Sequence, residues 1–198
     1  KIIDKSKKIF SIFPGSRKSE ITTLLPILIN FVKLMNNKYN DIFFAFHSIP
    51  EHNRLIKNYL LNKDLKNCDV IADEKIKSQV LKQSFFALSK SGTVSLEICN
   101  AKIPSIIIYK MNIINFFIVK MLIKVRYANI INITANEEII PELLQSKCNY
   151  RNIFNKVDML INDQKSLNKQ VFKFQKIIND FKTDQPSYKA ALVLFNHL

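Results

Sequence analysis

A chain of 198 residues with 47% apolar residues and 15 Phe can bury a sizeable core, and its length suits one α/β domain or one lobe of a larger enzyme. The net charge of +14 admits nucleic acid, anionic lipid or a phosphorylated ligand as partner, besides a plain Lys-rich solvated surface. The lysines are scattered, and no zinc-finger spacing, arginine-rich arm or aromatic RNA-binding signature accompanies them, which argues against nucleic acid.

Lys1 to Lys8 is polar, carries no signal-peptide pattern and reads as if cut from a longer chain. Ile9 to Phe13 is an apolar run consistent with a buried first strand, and Pro14-Gly15-Ser16-Arg17 is a turn. Ser19 is the expected N-cap of a helix reaching Asn37, with Ile21, Leu24, Leu25, Leu28 and Val32 on one face and Pro26 expected to kink it or shift its start. Strands over Asp41 to Phe46 and Cys68 to Ile71 alternate with helices over Pro50 to Leu61 and Glu74 to Lys82. Ser84 to Leu88 and Ile103 to Tyr109 are two further strands around a helix over Val94 to Asn100. A basic, apolar helix is expected over Asn112 to Val125. After it come a strand-like piece at Tyr127 to Ile133 and a helix over Glu137 to Gln145, with Pro141 in its first turn. Helices over Tyr150 to Asn162, Ser166 to Phe181 and Ser187 to Leu198 finish the chain. Alternating strands and helices predict one domain, with a mostly parallel, Rossmann-like sheet covered by helices on both faces.

The chain contains only two glycines, and both fall in strand-to-helix turns, Gly15 in GSR and Gly92 in SGT. Such turns present backbone N–H groups to phosphate at the carboxyl edge of a parallel sheet. Arg17 offers paired donors in a plane, and Glu97, one helical turn past Thr93, has the reach to meet ribose hydroxyls. Together these favour a nucleotide diphosphate. No Walker loop and no GxGxxG is present, which disfavours ATP hydrolysis and dinucleotide redox chemistry. Glu137, Glu138 and Glu142 complement a helix dipole or contact a sugar, and Asn132 is either a turn residue or a polar contact to the donor. Cys68, Cys99 and Cys148 fit neither a disulfide framework nor a metal-binding spacing, which points to a reducing compartment. His47, His52 and His197 have no ligand-like partners in sequence, so no metal is expected. Ile103 to Ile123 is interrupted by Pro104, Lys110, Asn112, Asn115 and Lys120 and reads as a strand plus an amphipathic helix, not a membrane span.

Four segments occur in one order and spacing: PGSRKSEI at Pro14 to Ile21, ALSKSGTVSLE at Ala87 to Glu97, YKMNIINFFIVKMLIKVRY at Tyr109 to Tyr127, and NITANEEIIPELLQ at Asn132 to Gln145. In this they resemble the lipid-A-disaccharide synthases, from about Ile9 to the C-terminus. The resemblance implies the C-terminal, donor-binding lobe of a GT-B glycosyltransferase, with the N-terminal acceptor lobe and its general base absent from these 198 residues. It implies an inverting transfer of 2,3-diacylglucosamine from its UDP carrier to lipid X (2,3-diacylglucosamine 1-phosphate), without cofactor or metal. Gly15, Ser16, Arg17, Ser91, Gly92 and Thr93 would hold the diphosphate, Arg17 stabilising the leaving group. Glu97 would take the ribose, and Asn132 and Glu138 would line the cleft. Phe116, Phe117 and Lys120 would touch acyl chains or the anionic membrane, on the cytoplasmic face of the inner membrane. A homo-oligomer stays open. Two departures stand out: Ile131 replaces the usual proline before Asn132, and Asn136-Glu137 replaces a Gly-Arg pair. The alternatives are another UDP-N-acetylglucosamine-using GT-B enzyme, such as a peptidoglycan glycosyltransferase or an epimerase, or a non-catalytic nucleotide-binding module.

Overall fold

The computed structural model describes residues 6–63, 65–111 and 126–181. Six strands form one sheet: β1 (Lys8–Phe13), β2 (Ile42–His47), β3 (Cys68–Ile71), β4 (Ser84–Lys90), β5 (Ser105–Tyr109) and β6 (Glu142–Leu144). Their order is β3-β2-β1-β4-β5-β6 and every pairing is parallel. This is the doubly wound order, in which the chain reverses direction between β1 and β4 and opens a crevice at the carboxyl ends of those strands.

The period-2 geometry of the strands sorts their side chains between two helical layers. Phe10 and Ile12 of β1, Phe44 and Phe46 of β2, and Phe86 and Leu88 of β4 pack with Leu24, Leu25, Leu28 and Phe31 of helix α1 (Lys18–Lys38). Helices α2 (Pro50–Leu61) and α6 (Tyr150–Ile161) complete this layer through Ile56, Ile153 and Val157. The other face carries α3 (Glu74–Lys82), α4 (Val94–Asn100), α5 (Ile130–Ala135) and α7 (Gln164–Phe181), through Val80, Ile98, Ile131 and Phe174. Among the described residues no helix is long and apolar enough to cross a membrane.

Several expectations are corrected. Helix α1 starts at Lys18, one residue before Ser19, because Glu20 accepts from the Ser16 and Arg17 N–H groups and closes the first turn. It then runs on through Pro26 to Lys38. Tyr127 to Ile133 is not a strand: Ile130–Ala135 is helical, capped by the Asn129 side chain accepting from Ile131 N–H at 2.9 Å and ended by Asn136 at φ 49°. Glu137 to Gln145 is not a helix. Pro141 lacks an N–H and biases its predecessor away from helix. Its carbonyl accepts from Ile107 N–H at 2.9 Å, which lays Glu142–Leu144 along β5 as the sheet's edge strand. The helices expected over Asn112 to Val125 and Ser187 to Leu198 lie outside the described residues.

Candidate active site

The carboxyl ends of β1, β2 and β4 converge on a cleft of about 390 Å³. Its walls bring together Gly15 and Ser16 from the first turn, Ser91, Gly92 and Thr93 from the second, and Glu97 from α4. The two turns, distant in sequence, come together because β1 and β4 are neighbours in register, Phe13 opposite Ser89.

Gly15 has φ +118°, and a Cβ there would stand 2.7 Å from Glu20 Oε2, so the turn requires glycine. At Gly92 an added Cβ would meet nothing within 4 Å, which leaves this stretch of backbone uncovered. Ser91 donates its hydroxyl to the Ala128 carbonyl at 2.7 Å, tying the second turn to the segment that precedes α5. The exposed carboxylate of Glu97 has no hydrogen bond or ion pair among the described residues, so it is free to accept from a ligand.

Two cleft residues escaped the sequence reading. Lys90, the last residue of β4, is mostly buried, pairs with Glu20 Oε1 at 3.0 Å and lies 4.9 Å from the Tyr109 ring centroid. Burial alone would raise the Glu20 pKa, but the Lys90 hydrogen bond and charge, with the N–H groups of Arg17 and Ser16, hold it below the usual carboxylate value. His47 ends β2 and is 3% exposed, its ring stacked on Phe13 at 4.1 Å between centroids. Burial, and then the charge of Lys77, depress its pKa to about 3, so it is neutral at physiological pH. The only sequence signal was position: each ends a strand at the edge that carries the turns.

Arg17 stands at the rim and does not line the cleft. Its side chain is 80% exposed and its guanidinium lies 3.6 Å from Glu20 Oε1. Asn132 also lies away from the cleft lining, fully buried. Its carboxamide nitrogen donates to the Ile140 carbonyl and Glu142 Oε1 at 2.7 and 2.8 Å, and its oxygen accepts from the Ile139 and Ile140 N–H groups at 2.9 Å each. Glu142 in turn accepts from the Ala128 and Asn129 N–H groups. Exposed Glu138 lies at the edge of this hub and accepts from Glu142 N–H at 3.3 Å. The hub holds the segment to which Ser91 is bonded, so Asn132 supports the second turn from behind. Phe116, Phe117 and Lys120 lie outside the described residues. Among the described residues no group of three or more His, Cys, Asp or Glu is placed to hold a metal ion.

The family model for lipid-A-disaccharide synthetase matches residues 1–194. The chain belongs to this family. Lipid-A-disaccharide synthases from Rickettsia typhi and Rickettsia prowazekii are 37% and 38% identical, over 97% of this chain and 51% of each relative. The chain spans about half the length of these curated relatives. Among solved structures, Staphylococcus aureus TarM in complex with Fondaparinux, alpha-GlcNAc-glycerol and UDP superposes with a TM-score of 0.63 at 16% identity, over 96% of this chain and 36% of that one. The catalytic domain of cholesterol-alpha-glucosyltransferase from Helicobacter pylori superposes at 0.55 and 16% identity, over 87% and 99%. At that identity these likenesses speak for the fold alone, a Rossmann-like α/β lobe. Within the lipid-A-disaccharide synthetase family, then, the residues of this chain that meet in one cleft are the two glycine turns, Glu97, Lys90 and His47.

Proposed function

We propose that the chain is the donor-binding lobe of an inverting glycosyltransferase. In that reaction 2,3-diacylglucosamine passes from its UDP carrier to the 6-hydroxyl of lipid X, giving lipid A disaccharide 1-phosphate and UDP. The observation that carries this reading is the convergence of the Gly15 and Gly92 turns with Glu97, unpartnered among the described residues, and a mostly buried cation, Lys90, in one cleft. Family membership supports the chemistry.

In this reading the diphosphate lies across the two turns, where the open backbone at Gly92 and the Lys90 ammonium meet its charge. Glu97 accepts from the ribose hydroxyls. As the anomeric carbon is attacked, charge builds on the departing UDP. Fixed donors already aimed at that position lower the barrier without reorganising, the usual source of electrostatic catalysis. Arg17, held at the rim by a single exposed ion pair, exchanges Glu20 for a phosphate oxygen. The acceptor and its general base belong to the N-terminal lobe, consistent with a chain half as long as its relatives. The chain works at the cytoplasmic face of the inner membrane, where both acylated substrates reside, and Phe116, Phe117 and Lys120 contact acyl chains or anionic headgroups there.

Isothermal titration of the full 198-residue chain with UDP and no added metal tests the reading, with Glu97→Ala as control. Saturable binding that weakens at least tenfold in the variant is expected.

A further inference from the structure

Beneath α3 a row of polar groups crosses an otherwise apolar layer. Ser84 Oγ donates to the Val80 carbonyl at 2.9 Å, Ser11 Oγ lies 2.7 Å from Ser84 Oγ, and His47 Nε2 lies 2.8 Å from Ser11 Oγ. A carbonyl only accepts, so the Ser84 proton goes to Val80. Ser84 must then accept from Ser11, and Ser11, its own proton committed, must accept from His47. The row therefore fixes the imidazole tautomer: Nε2 carries the proton and Nδ1 carries a lone pair. Nδ1 is buried without a protein partner in a side chain that lines the cleft. A buried acceptor left unpaired costs about 1–3 kcal/mol, so its partner is expected to arrive with the ligand.

We propose that His47 Nδ1 is the fixed acceptor for the imide N3–H of uracil, and so selects the base of the bound nucleotide. The inference rests on the nucleotide reading above. In such a ligand the ribose links the base to the phosphates, and one cleft offers a partner for each part. Phosphates suit the turns that end β1 and β4, and ribose suits Glu97 on α4, a helix whose Val94 packs with Leu81 of α3 and with Phe13, the ring on which His47 stacks. His47 lies on the opposite side of β1, with Phe13, Ile49 and Leu81 around it. Ser48, Glu74 and Lys77 also line the cleft, and the Phe13 ring, stacked with the imidazole, offers a planar apolar surface; uracil brings one ring donor, N3–H. Cytosine carries a lone pair at N3 and would meet Nδ1 acceptor against acceptor. The neutral state of the ring, enforced by burial and by Lys77, keeps the lone pair available across the physiological range.

The experiment compares UDP with N3-methyl-UDP, which lacks the donor, by titration of the full chain as wild type, His47→Phe and His47→Asn. Phenylalanine preserves the stack on Phe13 without a nitrogen, whereas the Asn carboxamide places an oxygen near the Nδ1 position. The wild type is expected to prefer UDP at least tenfold, His47→Phe less than twofold, and His47→Asn in between. A ¹⁵N NMR spectrum of the wild-type imidazole should show Nε2 protonated and Nδ1 bare. Equal affinity of the wild type for the two nucleotides, an unchanged preference in a folded His47→Phe, or the opposite tautomer overturns the proposal, and the first and last need no variant to fold. UDP binding without a penalty for N3-methylation overturns this inference alone; a folded wild type that binds no UDP overturns the nucleotide reading with it.

Discussion

Lys90 Nζ stands 3.0 Å from Glu20 Oε1, so that the last residue of β4 is joined to the first turn of α1 directly across the candidate diphosphate site. One carboxylate thereby serves two ends, holding a cation in the cleft and closing the turn that contains Gly15. An arriving phosphate offers Lys90 a second anion. Lys90→Met should weaken UDP binding by about tenfold, the scale of one charge-assisted hydrogen bond, and leave uridine binding nearly unchanged. Parallel titrations with UDP and uridine check this; equal losses for both would mean that Lys90 shapes the cleft rather than meeting phosphate.

Gly15→Ala should destabilise the fold by roughly 1–3 kcal/mol, the cost of a strained backbone position. The added carbon would sit 2.7 Å from Glu20 Oε2 and 3.0 Å from Glu20 Cβ, at a φ of +118° that side chains avoid. Urea denaturation measures the loss. Binding should fall as well, because displacing Glu20 loosens Lys90.

Asn132→Ala should cost about 2–4 kcal/mol, since it removes four hydrogen bonds and strips the Glu142 carboxylate of a donor in a buried place. The prediction separates two roles for this residue. Loss of stability in urea, with UDP affinity kept in the fraction that remains folded, identifies a support. A large loss of affinity with unchanged stability would make it a ligand contact.

His47 gives the fold a pH dependence. Its folded pKa of about 3 lies below its ordinary 6.5, so the unfolded chain binds the proton first and stability falls as pH drops through that interval. The loss should reach about 2 kcal/mol near pH 5, above the range in which the carboxylates of Glu20 and Asp158 protonate. Denaturation midpoints from about pH 7 to 4.5 should slope downward in the wild type and be nearly flat in His47→Phe.

The strands and the two turns were legible in sequence because apolar runs and a pair of glycines carry strong local signals: IFSIF before Pro14, and FFALS before Ser91. The segment from Tyr127 to Gln145 was not. Ile130, Ile131 and Ile133 read as β-branched strand residues, yet Asn129 and Asn136 supply a cap and a left-handed stop that convert them to helix. EEIIPELLQ reads as a helix with a tolerable proline, yet the open edge of β5 captures the Pro141 carbonyl and takes the next three residues as a strand. Both outcomes are decided by partners distant in sequence. The same applies to the site. Gly15, Gly92 and Glu97 announce themselves in motifs, whereas His47 matters only because β2 lies beside β1 and sets its ring on Phe13.

The central claim is that the cleft at the ends of β1 and β4 holds a uridine diphosphate, and calorimetric titration with UDP tests it most directly. The account predicts saturable, metal-free binding by the full chain, weakened at least tenfold in Glu97→Ala. A folded chain that takes up no UDP, or binds it equally well without the Glu97 carboxylate, would contradict it.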